Sequence, residues 1–241
     1  MIQMIIIIKL RKDKQKMGYG IKIMVTGDYA LFSRPEMKVE RVSYDVPTPS
    51  AMVGLISSVY WHPGIKYVID KIYVYNPINF VNIRRNEVSD KLSHTAVKNQ
   101  MKGKVDDISI YTCENRTQRA NLLLKDVKYG VEFHFEITDE ADETQTSEKS
   151  YNILLRRLRK GQYFSKPCLG CREFTADVEL VEELPNSEFT GDIDFGYMLY
   201  DLQYEKTAEG KALDCAEPRF FRPHMIDGMI DVRRYSKDLL C

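Results

Sequence analysis

Two stretches with a helical period, each set between stretches with a strand period, constrain this chain more than any other feature. Residues 122–137 bring Val131, Phe133, Phe135 and Ile137 to one side at every second position, the period of a long strand with one buried face. Thr48-Pro49 opens the first helix, with a hydroxyl to cap it and a proline at the first helical position. Met52, Val53, Leu55, Ile56, Val59 and Tyr60 form its buried side, and His62-Pro63-Gly64 stops it. The second helix starts near Lys149. Tyr151, Leu154, Leu155 and Leu158 share one face, while Lys149, Arg156 and Lys160 share the other. Ser147 or an adjacent acidic residue caps its start, and Gly161 ends it.

Strand signals surround these helices. Tyr19–Val25 reads as a first strand broken by Gly27-Asp28, residues 34–46 as a polar loop, and 67–75, 79–85 and 174–181 as further strands. With the polar segment 86–118 set aside, the order is strand, helix, two strands, helix, strand. That order fits an α+β fold with a split βαβ, ferredoxin-like sheet, an architecture common among RNA-recognition modules. The domain spans 17–186. The insertion at 86–118 is long enough to be functional or to hold a protruding hairpin. Residues 187–241 read as a small β-rich C-terminal portion, with strands near 195–204 and 229–235. Residues 1–16 are apolar and then charged. The apolar run is too short to span a bilayer, and its charges follow the block instead of preceding it as in a signal peptide. Met17 stands directly before the first strand, so 1–16 is expected to be a non-functional extension.

The 35 basic and 35 acidic side chains cancel, so no bulk basic signature for nucleic acid exists and any such role rests on segregated charge. Segregation is present. Residues 139–148 (DEADETQTSE) are acidic, and Lys149, Arg156, Arg157, Arg159 and Lys160 follow; Arg84, Arg85, Lys91, Lys98, Lys102 and Lys104 form a second basic run. Lys149 falls in a helical first turn, where a cation is disfavoured unless an anion joins it at the exposed N–H groups. A solvated basic face is the competing explanation. Motifs for nucleotide hydrolysis, esterase chemistry and zinc hydrolysis are missing. Five cysteines without a compact framework point to a reducing cytoplasm. Cys168 and Cys171 form a CxxC with no second pair at zinc-site spacing, so neither a metal nor another cofactor is expected. Of four histidines, His134 lies in an alternating strand and reads as structural, and His62 beside Tyr60 reads as a helix-terminal histidine, with contact to a ligand as the alternative.

Gly27–Trp61 (GDYALFSRPEMKVERVSYDVPTPSAMVGLISSVYW), Glu114–Tyr129 (ENRTQRANLLLKDVKY), Lys149–Phe174 (KSYNILLRRLRKGQYFSKPCLGCREF) and Pro218–Phe221 together resemble the CRISPR-associated "Cas five" family, and within it the subtype I-C, or d, type. The resemblance runs from about Met17 to Tyr235. It implies an RNA-recognition-like domain with a small C-terminal antiparallel sheet. It also implies a subunit of the crRNA-guided surveillance complex (Cascade), partnered with backbone and large subunits and, through them, with target DNA. Such proteins cut precursor RNA at the base of the repeat hairpin and keep the mature crRNA 5′ handle. The family's cleavage is metal-independent: the ribose 2′-OH attacks the adjacent phosphate, leaving a 2′,3′-cyclic phosphate and a 5′-OH. Its catalytic tyrosine matches Tyr60 and its lysine matches Lys149, but Ser150 stands where the histidine belongs. Arg116, Arg119, Arg156, Lys160, Lys166 and Arg172 are the residues expected against RNA phosphates. A subunit that binds the handle without cutting is the alternative.

Overall fold

The computed structural model describes residues 20–37, 39–104, 108–142, 144–206, 212–235 and 239–240. The extension expected at 1–16 lies outside them. In chain order the strands are β1 (Ile21–Ala30), β2 (Arg41–Val42), β3 (Ile65–Val74), β4 (Asn79–Val88), β5 (Arg116–Ile137), β6 (Asp177–Leu180), β7 (Asp192–Asp194), β8 (Met198–Lys206), β9 (Ala212–Phe221), β10 (His224–Ile226) and β11 (Met229–Asp231). The described helices are α1 (Pro49–Val59), α2 (His94–Met101) and α3 (Ser147–Arg159).

The 22-residue β5 organises the main sheet. Along one edge its first half pairs antiparallel with β4, from Val88↔Arg116 to Asn79↔Lys125. Its second half pairs on that edge with β3, from Val74↔Tyr129 to Ile65↔Ile137. The partner changes at Asp126, whose φ of 52° puts it in the left-handed region. The Asn76 amide, in the β3–β4 corner, donates to the Asp126 carbonyl at 2.7 Å and ties the corner to this point. The other edge of β5 carries β1, from Ile21↔Phe133 to Ala30↔Leu124, and then β2 in parallel at Asn121 and Leu122. The full order is β6-β1-β5-β3-β11-β10-β7, and β8 with β9 forms a separate hairpin.

Alternation decides which face is covered. Ile21, Ile23 and Val25 of β1 are buried, as are Val127, Tyr129, Val131, Phe133 and Phe135 of β5. They meet Met52, Leu55, Ile56 and Val59 of α1 and Leu154 and Leu158 of α3 in one core. Helix α1 packs on β3 and β8, and α3 on β6 and α1. Thr48 caps α1 as its sequence requires, with the Ala51 N–H donating to its hydroxyl at 3.2 Å.

Several expectations need correction. Gly27-Asp28 does not break β1, which runs on to Ala30. Gly27 serves packing: a Cβ there would lie 2.5 Å from the Leu169 side chain, so the strand stays regular while a loop sits against it. The 34–46 stretch holds β2 and the buried Tyr44 and Val46, because the loop folds back along β5. Thr146, not Ser147 or an acidic residue, caps α3, its hydroxyl accepting from the Lys149 N–H at 3.2 Å. The predicted strands at 174–181 and 229–235 shorten to β6 and β11, and Val232–Tyr235 closes into a 3₁₀ turn. The 86–118 insertion is the outer part of a β4–β5 arm, with α2 at its end.

Because Asp126 holds a left-handed conformation that a β-branched residue adopts only with strain, Asp126→Val is expected to lower stability by about 1–2 kcal/mol. Asp126→Gly is expected to be neutral or better. Denaturant midpoints of the two variants check the difference.

Candidate nucleic-acid site

The candidate site forms where the end of α1, the loop before α3 and the first turn of α3 converge. Tyr60 is the C-cap residue of α1 and leaves the helix with extended backbone angles. It is buried, and its ring lies under the guanidinium of Arg157, 5.1 Å from the centroid. Arg157 also donates to the Val59 carbonyl at 2.7 Å, so one arginine from α3 both satisfies an open helix end and fixes the tyrosine ring. Below it, the Tyr67 hydroxyl donates to the Tyr60 carbonyl at 2.7 Å. Burial raises the Tyr67 phenol far above its ordinary range, so it remains a donor.

The Tyr60 hydroxyl receives a long hydrogen bond, 3.5 Å, from the Gln145 amide. The same amide donates to the Ser150 hydroxyl at 2.9 Å, and Ser150 donates to the Thr146 carbonyl at 3.0 Å. Ser150 is only 1% exposed, and its hydroxyl proton is committed to a backbone acceptor. It orders the loop and offers no titratable group. The Tyr60 oxygen accepts in this chain, which leaves its own hydrogen to donate elsewhere.

Lys149 is exposed in the first turn of α3, and its ammonium reaches back to the Thr144 carbonyl at 3.3 Å. The Tyr60 hydroxyl and the Lys149 ammonium are therefore held by consecutive residues, Gln145 and Thr144. Beside them, Asp142 accepts from the Thr144 hydroxyl at 2.7 Å and from its N–H at 2.9 Å. The Thr144 hydroxyl holds the Asp142 carboxyl below its usual range, with His62 and Lys149 adding attraction. His62 and Lys149 therefore both lie within electrostatic reach of Asp142. No signal in the sequence marks Gln145 or Arg157 as parts of this site; both act through tertiary contacts.

The residues expected on phosphates fall into separate groups. Arg156 and Lys160 are exposed on α3, and Lys166 lines a cleft of about 280 Å³ with Arg157 and Tyr163. Arg172 is exposed on the loop after Leu169, close to the base of the arm. There Glu173 pairs with Arg85, which also reaches the Asn121 side chain at 3.3 Å. Arg116 is exposed further out, and Arg119 pairs with Glu87 at 3.6 Å. The six thus line a path from the α3 region along the arm and do not gather round Lys149. Among the described residues no group of three or more His, Cys, Asp or Glu side chains is placed to hold a metal. Burial keeps the Cys168 and Cys171 thiols protonated above their ordinary range. No described helix is long and apolar enough to cross a membrane.

A long antiparallel sheet covered by two helices, with a basic arm and a lysine-bearing helix start beside a pinned tyrosine, defines an α/β protein suited to a polyanion. Residues 20–233 match the family described as CRISPR-associated protein (Cas_Cas5), in its Cas5d form. A CRISPR pre-crRNA endoribonuclease Cas5d of Mannheimia succiniciproducens is 44% identical, over 90% of this chain and 96% of its own. Its counterpart of the same name in Thermus thermophilus is 36% identical, over 88% of this chain and 90% of its own. The chain belongs to the Cas5d family. A crystal structure of a CRISPR-associated protein matches the fold with a TM-score of 0.62 at 22% identity, covering 89% of this chain and 91% of that one. A functionally uncharacterized protein from Streptococcus mutans does so equally, with a TM-score of 0.62 at 24% identity and coverage of 88% and 91%.

Ser150→Ala would leave the buried Gln145 amide without its short acceptor. A stability loss of about 1–3 kcal/mol is expected, and thermal unfolding of the variant beside the parent checks it.

Proposed function

We propose that this chain is a CRISPR pre-crRNA endoribonuclease that cuts at the repeat hairpin by 2′-OH attack and retains the 5′ handle within the type I-C Cascade. The relatives' activity and the shared family support the endoribonuclease reading. The observation that carries the catalytic assignment is the anchoring of the Tyr60 hydroxyl and the Lys149 ammonium on adjacent residues, Gln145 and Thr144. A scissile phosphate between them meets two donors. Lys149 neutralises the charge that develops on the phosphoryl oxygens, and the capped start of α3 adds its partial positive charge. Tyr60, its oxygen already occupied as acceptor, donates its hydrogen to the nucleophile or to phosphate and fixes the attack line. Neither step draws on a metal held by these side chains.

The strand order β6-β1-β5-β3, all antiparallel, with α1 and α3 on one face, supports a ferredoxin-like unit covering 17–186, with 187–241 as a C-terminal β portion. Arg156, Lys160, Lys166 and Arg172 hold the handle and hairpin, and Arg116 and Arg119 on the arm follow the RNA onward to the neighbouring Cascade subunits and, through them, target DNA. Free Cys113, Cys168 and Cys171 are consistent with a reducing cytoplasm. A handle-binding subunit that does not cut is the second reading, and the absence of a titratable group at Ser150 is the observation that favours it.

Purified protein incubated with labelled repeat RNA in excess EDTA is expected to give one cut, and an RNA with 2′-deoxyribose at that position is expected to stay intact. Lys149→Ala is expected to slow cleavage by about 10²–10³-fold while handle binding persists. Tight binding with neither RNA cut would establish the non-cleaving reading. Arg116→Ala is expected to lower the slope of log affinity against log salt by about 0.7, as measured by filter binding over a salt series.

A further inference from the structure

The proposed mechanism holds two donors and no acceptor for the 2′-OH proton. Ser150 is closed off, and an ammonium and a phenol are poor bases near neutral pH. His62 stands beside the same loop. Its Nδ1 lies 2.7 Å from the Pro63 carbonyl, which only accepts, so Nδ1 carries the proton and Nε2 presents a free lone pair. The backbone fixes where this ring goes. Gly64 packs so closely on Ala141 that a Cβ would lie 2.4 Å from its backbone, and the Gly64 carbonyl accepts from the Thr138 N–H at 2.8 Å. The turn after α1 is thus clamped onto the 138–146 loop that anchors Lys149 and Tyr60. His62 and the exposed indole of Trp61 line an open cleft of about 850 Å³, large enough for a nucleotide, with a flat aromatic surface for a base.

We propose that His62 is the general base of this enzyme, taking over from the turn after α1 the role that the residue following Lys149 has in its family. The inference rests on the endoribonuclease reading. His62 Nε2 takes the 2′-OH proton as the 2′-oxygen bonds to phosphorus. The bond from phosphorus to the 5′-oxygen breaks, and the departing oxygen takes a proton from water. His62 then returns its proton to solvent, so atoms and charge balance with no co-reactant and a 2′,3′-cyclic phosphate results. Lys66 of β3, Glu136 of β5 and Glu140 line the same cleft as His62, and Asp142 lies within electrostatic reach of both His62 and Lys149. Across the cleft, Asp201 and Arg219 pair with each other at 2.9 Å. Thr144 donates twice to one oxygen of Asp142 and this bonding lowers the Asp142 pKa, which makes that carboxylate a weaker base than an imidazole.

Single-turnover cleavage of repeat RNA by the full chain, across roughly pH 5 to 8, tests this. The parent rate is expected to rise with pH along an acid limb. His62→Gln is expected to cut about 10²–10⁴-fold more slowly, to lose that limb, and to bind RNA as before. Added imidazole is expected to restore part of the rate to His62→Ala, a readout that a merely misfolded variant would not give. Parent-like rate and pH profile in His62→Gln would overturn the role of His62 and leave the endoribonuclease reading standing. A slow His62→Gln that keeps the acid limb, or a His62→Ala that imidazole does not rescue, would also remove His62 as the base. A parent protein that binds the repeat and never cuts it would overturn both.

Discussion

Every other element of this molecule takes its place from the hydrogen-bonding capacity of one strand. β5 has partners on both edges through its middle, with β1 and β2 on one edge and β4 and then β3 on the other, and its two ends each pair on one edge. A strand of 22 residues is far longer than the core needs, since a typical one has about five or six. The surplus projects as the β4–β5 arm. Asp126, left-handed within β5, separates the half that builds the core from the half that leaves it. Its conformation permits one continuous strand to serve both a packed sheet and an exposed, basic extension.

The site follows from how that sheet is covered. α1 and α3 share a core, so the end of α1 must lie beside α3, and Arg157 spans the gap by capping one helix while stacking on Tyr60. The loop from Thr138 to Thr146 then has to turn tightly to start α3. There, Gln145 bonds Ser150, Ser150 bonds the Thr146 carbonyl, and Thr144 bonds Asp142. The bonds from Gln145 to Tyr60 and from Lys149 to Thr144 hold a hydroxyl and an ammonium in place before substrate arrives. The acidic stretch that precedes the basic helix in the sequence is, at Asp142, part of this framework: its carboxylate accepts from Thr144 within electrostatic reach of His62 and Lys149.

Much of the architecture was legible from pattern. Thr48-Pro49 declared α1, the alternation from Val131 to Ile137 declared the inner half of β5, and the two-faced residues 149–160 declared α3. Local chemistry determined each. The misreadings share a cause. Gly27 looks like a break because glycine usually is one, and only the packing of Leu169 against the strand explains it. Residues 34–46 look polar, yet Tyr44 and Val46 are buried by a return to β5 that no local signal announces. The outermost part of β5, residues 116–120, has no buried residue and no apolar alternation, and pairing with β4 is what makes it a strand.

For the site, the sequence by itself determined the ingredients: a tyrosine closing a helix, a lysine opening another, a serine after it, and family membership that gives those positions meaning. It also determined that positive charge is segregated instead of abundant. The tertiary structure decided which of these groups act together. It seated Tyr60 on Gln145 and Lys149 on Thr144, closed Ser150 into a hydrogen-bonded loop, and clamped the His62 turn against Ala141. It also put Arg116 and Arg119 on the arm, the latter in an ion pair with Glu87, and Arg156 on α3. Sequence pattern records the period of burial along one segment at a time, whereas a hydrogen bond between side chains far apart in the chain depends on how separate segments pack. No local period encodes that.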